Sequence, residues 1–215
     1  MIDQETMNYY NTNAALYGNH APDPAGDFVA YRSRFIQRLK PGSRILDLGC
    51  GGGHASQAFL ENSHDVVALD GSVELAKIAA QRINRDVIVK DFSDLDYRSE
   101  FDGVWAAASL THVSLDCLQD VLERVCRALQ PQGLLCASFK CAETDWRDTE
   151  GRFYSAIRSD TLSQFARQAG LQVESIEVSE GLSYLGTPAS WAWLFAYRRD
   201  DTVSPQVNRG DPGIL

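Results

Sequence analysis

The chain alternates between two rhythms of apolar residues. Five short runs rich in branched or aromatic residues, at 44–48, 65–70, 87–91, 101–108 and 134–140, read as strands. Between them the apolar residues return every three or four positions. Leu75, Ile78, Ala79 and Ile83 do so, as do Leu118, Val121, Leu122, Val125 and Leu129, each set forming the stripe of a helix with one buried face. Strands and helices in alternation predict a doubly wound parallel sheet with right-handed crossovers. Two further strands, 172–178 and 191–197, have no helical stripe between them and are expected to pair antiparallel.

Local signals mark the ends of these elements. Asp116 is expected to cap the helix of Leu118 to Leu129, with Asp120/Arg124 and Glu123/Arg127 paired outward at i,i+4. Pro131-Gln132-Gly133 turns the chain into the strand at 134. Thr161-x-x-Gln164 reads as a capping box, opening a helix with Leu162, Phe165, Ala166 and Ala169 that ends at Gly170. At the front, residues 3–17 read as one helix carrying Tyr9, Tyr10, Asn11 and Tyr17, and the prolines of 18–24 break it. The stripe Phe28, Tyr31, Phe35, Ile36 and Leu39 marks the next helix, which ends at Pro41-Gly42. Residues 141–158 follow neither rhythm: they form a long polar connection with embedded Trp146, Phe153 and Tyr154. One domain over 1–199 and a polar tail over 200–215 account for the chain.

The strand at 44–48 runs straight into Gly49-Cys50-Gly51-Gly52-Gly53, where glycine allows positive φ and a ligand can approach without meeting a Cβ. A dinucleotide fingerprint requires glycine at 54 or 56, but these positions hold His54 and Ser56. No Gly-Lys-Ser or Gly-Lys-Thr follows to cradle a phosphate. What remains is Asp47-x-Gly49-x-Gly51-x-Gly53, with Asp70 closing the next strand. A carboxylate at that point accepts hydrogen bonds from both hydroxyls of a ribose, and Asp47 is a second one, placed for a cationic amino group. A ligand with an ammonium, a ribose and no phosphate fits this better than NAD.

Ile45-Leu46-Asp47-Leu48-Gly49-Cys50-Gly51-Gly52-Gly53, followed by Val67-Ala68-Leu69-Asp70-Gly71-Ser72, resembles the class I S-adenosylmethionine (SAM)-dependent methyltransferases. The resemblance is strongest to a bacterial branch similar to tellurite-resistance and small-molecule methyltransferases, and it spans roughly positions 9 to 198. It implies an α/β, doubly wound, seven-stranded Rossmann-like sheet with an antiparallel last strand and an N-terminal helical lid over 1–40. It also implies SAM as cofactor. Gly49, Gly51 and Gly53 would then receive the methionyl part, with Cys50 beside them, Asp70 with Gly71 and Ser72 the ribose, and Asp91 with Phe92 the adenine. Ala107 and Ala108 are small enough to let the sulfonium come close.

Ser109, Thr111 and His112 form a compact cluster of hydroxyls and imidazole at the expected ligand edge. His112 is a candidate general base or substrate hydrogen-bond partner, against the plainer reading of a structural donor. Tyr10 is the lid residue placed with it among the catalytic candidates. Tyr10 and Tyr17 either cover the cofactor, excluding water, or simply pack their helix. Lys140 and Arg152 suit an anionic acceptor, Phe153 and Tyr154 wall the pocket, and Tyr184 is a further substrate candidate. Conversely, Tyr9, Tyr10, Tyr17 and Trp146 suit a cationic amine.

Composition narrows the partners. With 215 residues, 44% of them apolar, the chain can bury a full core, and a net charge of −9 argues against nucleic acid. No apolar run is long enough to span a membrane, and Met1-Ile2-Asp3-Gln4-Glu5 does not resemble a signal peptide, so a cytoplasmic protein is expected. Five cysteines without a C-x-x-C pair read as reduced thiols, with no metal site. The expected activity is in-line transfer of the SAM methyl to a small molecule, by a monomer or homodimer. Its rivals are cleavage or cyclisation of SAM to methylthioadenosine, and SAM binding without catalysis.

Overall fold

The computed structural model describes residues 3–20, 27–183 and 186–200. The predicted position of Tyr184 and nearly all of the tail, 201–215, lie outside the described residues. Seven strands form one sheet in the order β3-β2-β1-β4-β5-β9-β8. Here β1 is Arg44–Leu48, β2 Asp65–Asp70, β3 Ile88–Val89, β4 Phe101–Ala106, β5 Leu129–Lys140, β8 Leu171–Leu182 and β9 Pro188–Arg198. The first five run parallel, and β9 lies antiparallel to both β5 and β8. The expected seven-stranded sheet with its antiparallel last strand is what the chain forms.

Alternation along the strands divides the core into two layers. Ile45, Val66, Trp105, Leu134 and Cys136 face α3 (Asp27–Gln37) and α4 (His54–Glu61), where Phe35 and Phe59 are fully buried. Leu46, Leu48, Leu69, Val104 and Leu135 face the other way, against α6 (Leu115–Ala128) and α7 (Ser159–Gln168). Helix α5 (Val73–Ile83) packs through Ala79 and Ile83 onto Ala68.

Several boundaries differ from the sequence reading. The N-terminal helix is two helices, α1 (Gln4–Thr12) and α2 (Ala14–Asn19). Asn13 separates them: its backbone N–H and its side-chain amide both donate to the Tyr9 carbonyl, closing the first helix in place of continuing it. Asp116 does not cap α6. It lies in the first turn, where its charge favours the helix dipole, and Ser114 occupies the cap position. Of the two expected pairs, Arg124 Nε meets Asp120 at 2.7 Å, while Glu123 accepts from Gln119. Thr161 lies inside α7, its N–H donating to the adjacent Asp160. The residues expected as a turn at 131–133 are a kink within β5, with Gln132 at φ 64°. The polar connection 141–158 contains a short antiparallel ribbon, β6 (Trp146–Arg147) with β7 (Phe153–Tyr154). Two-residue strands are too short to show a period of two in sequence.

Candidate active site

The carboxyl ends of β1, β2 and β4 meet beneath α1 and α2, and a cavity lies between them. From the sheet side it is lined by Gly49, Gly51, Asp70, Gly71, Phe92, Ala107, Ala108, Ser109 and His112, and from the helices by Thr6, Met7, Tyr10 and Tyr17. Two residues of the glycine loop are fixed by contact. A Cβ on Gly49 would stand 2.3 Å from that of Ser109, and one on Gly52 would stand 2.1 Å from the Gly18 carbonyl of α2. The loop is thus pressed between the loop after β4 and the helical lid. Gly53, at φ 81°, starts α4.

Asp70 ends β2 with its carboxylate fixed by backbone amides: Gly51 N–H donates to one oxygen and Ser72 N–H to the other, both at 2.8 Å. Burial nevertheless raises its pKa, with the amides of Ser72, Gly51 and Gly71 opposing the rise. Such a carboxylate is aimed and gains from polar hydrogens brought by a ligand. Phe92 and Leu75 add apolar walls to the same cavity.

Four residues expected at the cofactor stand behind this wall. Asp47 shares the face of Ile45, so it points under α4, where it is 2% exposed and accepts from Ser56 Oγ at 2.6 Å. Burial pushes its pKa up to about 7. Cys50 is buried, its N–H donating to Leu69 O. Ser72 caps α5 and donates to Asn11 of the lid. Asp91 accepts from Ser93 N–H and Oγ, capping the turn Phe92–Asp94.

Where β4 ends, Ala108 takes φ 53°, and its N–H donates to Ser138 Oγ. The chain then turns so that His112 reaches the cavity. Its Nδ1 lies 2.5 Å from the Phe153 carbonyl, which can only accept, so Nδ1 carries the proton. Nε2 is therefore the acceptor in the neutral ring, and the Tyr10 hydroxyl donates to it at 2.8 Å. Burial lowers the His112 pKa to about 4 and raises that of Tyr10. The imidazole stays neutral near pH 7 and is a weak base.

Of the expected substrate residues, Arg152 is 1% exposed and its guanidinium is held by Asp148, with Nη2 at 2.7 Å and Nε at 2.9 Å. It stacks on Tyr9 and buttresses the lid. Tyr154 is buried between His112 and Trp146. Lys140 lines a second cavity, its ammonium over the Tyr154 ring. Thr6, Met7 and Leu75 are cavity residues that sequence reasoning missed. Thr6 was within reach, since it precedes Tyr10 by one helical turn and shares its face.

Among the described residues no group of three or more His, Cys, Asp or Glu side chains is placed to hold a metal ion. No described helix is long and apolar enough to cross a membrane. All five cysteines are free thiols.

Residues 45–133 match the family described as "Methyltransferase domain". The cypemycin N-terminal methyltransferase of a Streptomyces species is 33% identical over 192 residues, covering 81% of this chain and 76% of its own length. The malonyl-[acyl-carrier protein] O-methyltransferase of Enterobacter lignolyticus is 30% identical over 66% of this chain and 61% of its own. Among solved structures, the Burkholderia thailandensis 1,6-didemethyltoxoflavin-N1-methyltransferase, with bound 1,6-didemethyltoxoflavin and S-adenosylhomocysteine, superposes with a TM-score of 0.66 at 22% identity, covering 80% of this chain and 77% of that one.

Proposed function

From a chain that belongs to the class I SAM-dependent methyltransferases, we propose an enzyme that transfers the sulfonium methyl of SAM to a small-molecule acceptor in the cavity beneath α1 and α2. The observation that carries this reading is the Asp70 carboxylate, fixed by the Gly51 and Ser72 amides in the same cavity as Ala107, Ala108 and His112. These residues fit the cofactor. Asp70 is an anchored acceptor for a pair of ribose hydroxyls. Gly49 and Gly51 offer bare backbone for the methionyl part, and Phe92 with Leu75 a slot for the adenine. Asp91 and Ser72 act behind them by fixing the turns on which Phe92 and α5 begin.

SAM supplies an already activated methyl group, so the protein's contribution is alignment and a dry site. His112 holds Tyr10 through Nε2, and the lone pairs of the Tyr10 oxygen can accept from an N–H or O–H of the acceptor. With its pKa near 4, His112 positions Tyr10 in preference to storing a full proton. The proton released on methylation leaves with the product or to water. The Tyr10 and Tyr17 rings, in edge contact at 4.9 Å between centroids, close the cavity against solvent.

Incubation with methyl-labelled SAM and a soluble metabolite extract tests the reading. Label in a new small molecule together with S-adenosylhomocysteine supports it. Methylthioadenosine as the product contradicts it.

A further inference from the structure

At the end of β5, between the β6 strand and the start of β9, lies a second cavity of about 300 Å³, the lower end of the range for small-molecule sites. Lys140, the last residue of β5, lines it and is only 8% exposed. Its ammonium rests 3.9 Å from the centroid of the Tyr154 ring and 5.6 Å from that of Trp191. Among the described residues no carboxylate lies within 4 Å of it; the charges of Arg152 and Asp148 act on it from farther away. Asp148 lines the same cavity, but its carboxylate is taken up by Arg152 and by the N–H groups of Glu150 and Arg152. Burial lowers the Lys140 pKa to about 8, with the Arg152 charge adding to the effect and the Asp148 charge opposing it. Two buried cations, Lys140 and Arg152, thus share the one Asp148 carboxylate, and the uncompensated charge is costly unless something else supplies an anion.

We propose that this cavity is the acceptor's anchoring site and that Lys140 pairs there with a carboxylate of the methyl acceptor. This rests on the methyl-transfer reading and names its substrate class. One ammonium with its neighbouring Asp148 suits a singly charged group. Trp146, stacked on Tyr154 at 4.8 Å, offers a flat apolar wall for the body of the molecule. Ser183, Thr187 and Ser190 also line it, the first two bonded to each other through their hydroxyls and Ser190 donating to Glu180. The Tyr154 ring, 3.9 Å from the Lys140 ammonium and 4.6 Å from the His112 ring, stands between the two, so an acceptor anchored at Lys140 reaches toward Tyr10 by displacing this ring. Arg152, the other cation expected to hold an anion, is already paired with Asp148.

The test is a titration of lysine-labelled protein, saturated with S-adenosylhomocysteine, with benzoate and with its neutral isostere benzamide. The Lys140 resonance is assigned by its loss in Lys140→Met. The expected result is that benzoate shifts that resonance and binds about tenfold or more tightly than benzamide, the value of one charge-assisted hydrogen bond, with the preference gone in the variant. Equal binding of the two compounds, no perturbation of Lys140, or a preference that survives in Lys140→Met overturns the anchoring site. Calorimetry of S-adenosylhomocysteine on the same samples separates the two readings. If that ligand binds while benzoate and benzamide are not distinguished, only the anchor fails, whereas absence of S-adenosylhomocysteine binding removes the methyltransferase reading itself.

Discussion

The Tyr10 hydroxyl and His112 Nε2 stand 2.8 Å apart and join the N-terminal lid to the loop that leaves the central strand β4. The bond works in one direction because the other ring nitrogen is committed to the Phe153 carbonyl. Phe153 in turn donates its N–H to Thr6 Oγ1 of α1, so lid, ribbon and sheet edge close a circuit around the cavity.

His112 makes stability fall in acid. Its folded pKa, lowered from 6.5 to about 4, means that the unfolded chain binds a proton that the native chain refuses. The stability it contributes is full above pH 6.5 and is lost as pH falls toward 4, by roughly 3 kcal/mol. Chemical denaturation of wild type and His112→Gln should therefore show a difference that shrinks over that interval. A difference independent of pH would mean that the imidazole titrates normally.

Asp47 acts with the opposite sign. Its folded pKa is raised from 3.8 to about 7, so its ionisation costs stability progressively as pH rises through that range. Asp47→Asn keeps the shape and an acceptor for Ser56, and should be more stable than wild type above pH 7, on the order of a few kcal/mol. Equal stability at pH 8 would show that the charge is compensated.

Gly52→Ala tests the seating of the lid. The new Cβ meets the Gly18 carbonyl, so α2 must lift while the sheet stays formed. Hydrogen exchange should rise in residues 4–19 and remain unchanged in β1 and β4. The cavity is about 70 Å³, below the roughly 300 Å³ or more of small-molecule sites, and cofactor entry is expected to move the same helices. Loss of protection throughout β1 would instead indicate global unfolding.

The lid is tied to the ribbon by Arg147, which reaches both oxygens of Asp3 at 2.8 and 2.9 Å, and by the buried Thr6 hydroxyl. Thr6→Val preserves shape but leaves the Phe153 N–H unpaired, and should cost about 1–3 kcal/mol. Arg147→Ala removes an exposed pair and should have a smaller effect. If calorimetric unfolding ranks the two variants in the reverse order, the tie is chiefly electrostatic.

Much of this was legible in the sequence because buried strands and helices carry their period over many residues. The parallel core, the antiparallel β8 and β9, and the glycine loop could all be read that way. Single side chains at the site were less legible. Asp47 and Asp70 look alike in sequence, yet alternation turns Asp47 under α4 and the end of β2 leaves Asp70 at the cavity. Lys140 and Arg152 are equivalent cations on paper, and only the fold shows that Asp148 has claimed Arg152. The β6–β7 ribbon and the split at Asn13 depend on tertiary contacts that no local pattern encodes.

The most direct test of the account is calorimetric titration of SAM and of NADH into wild type and Asp70→Asn. The account predicts that SAM binds, that NADH does not, and that the substitution weakens SAM by about 2 kcal/mol, roughly thirtyfold, for the lost charge-assisted hydrogen bonds. Unchanged SAM affinity in Asp70→Asn, or binding of NADH in place of SAM, would contradict it.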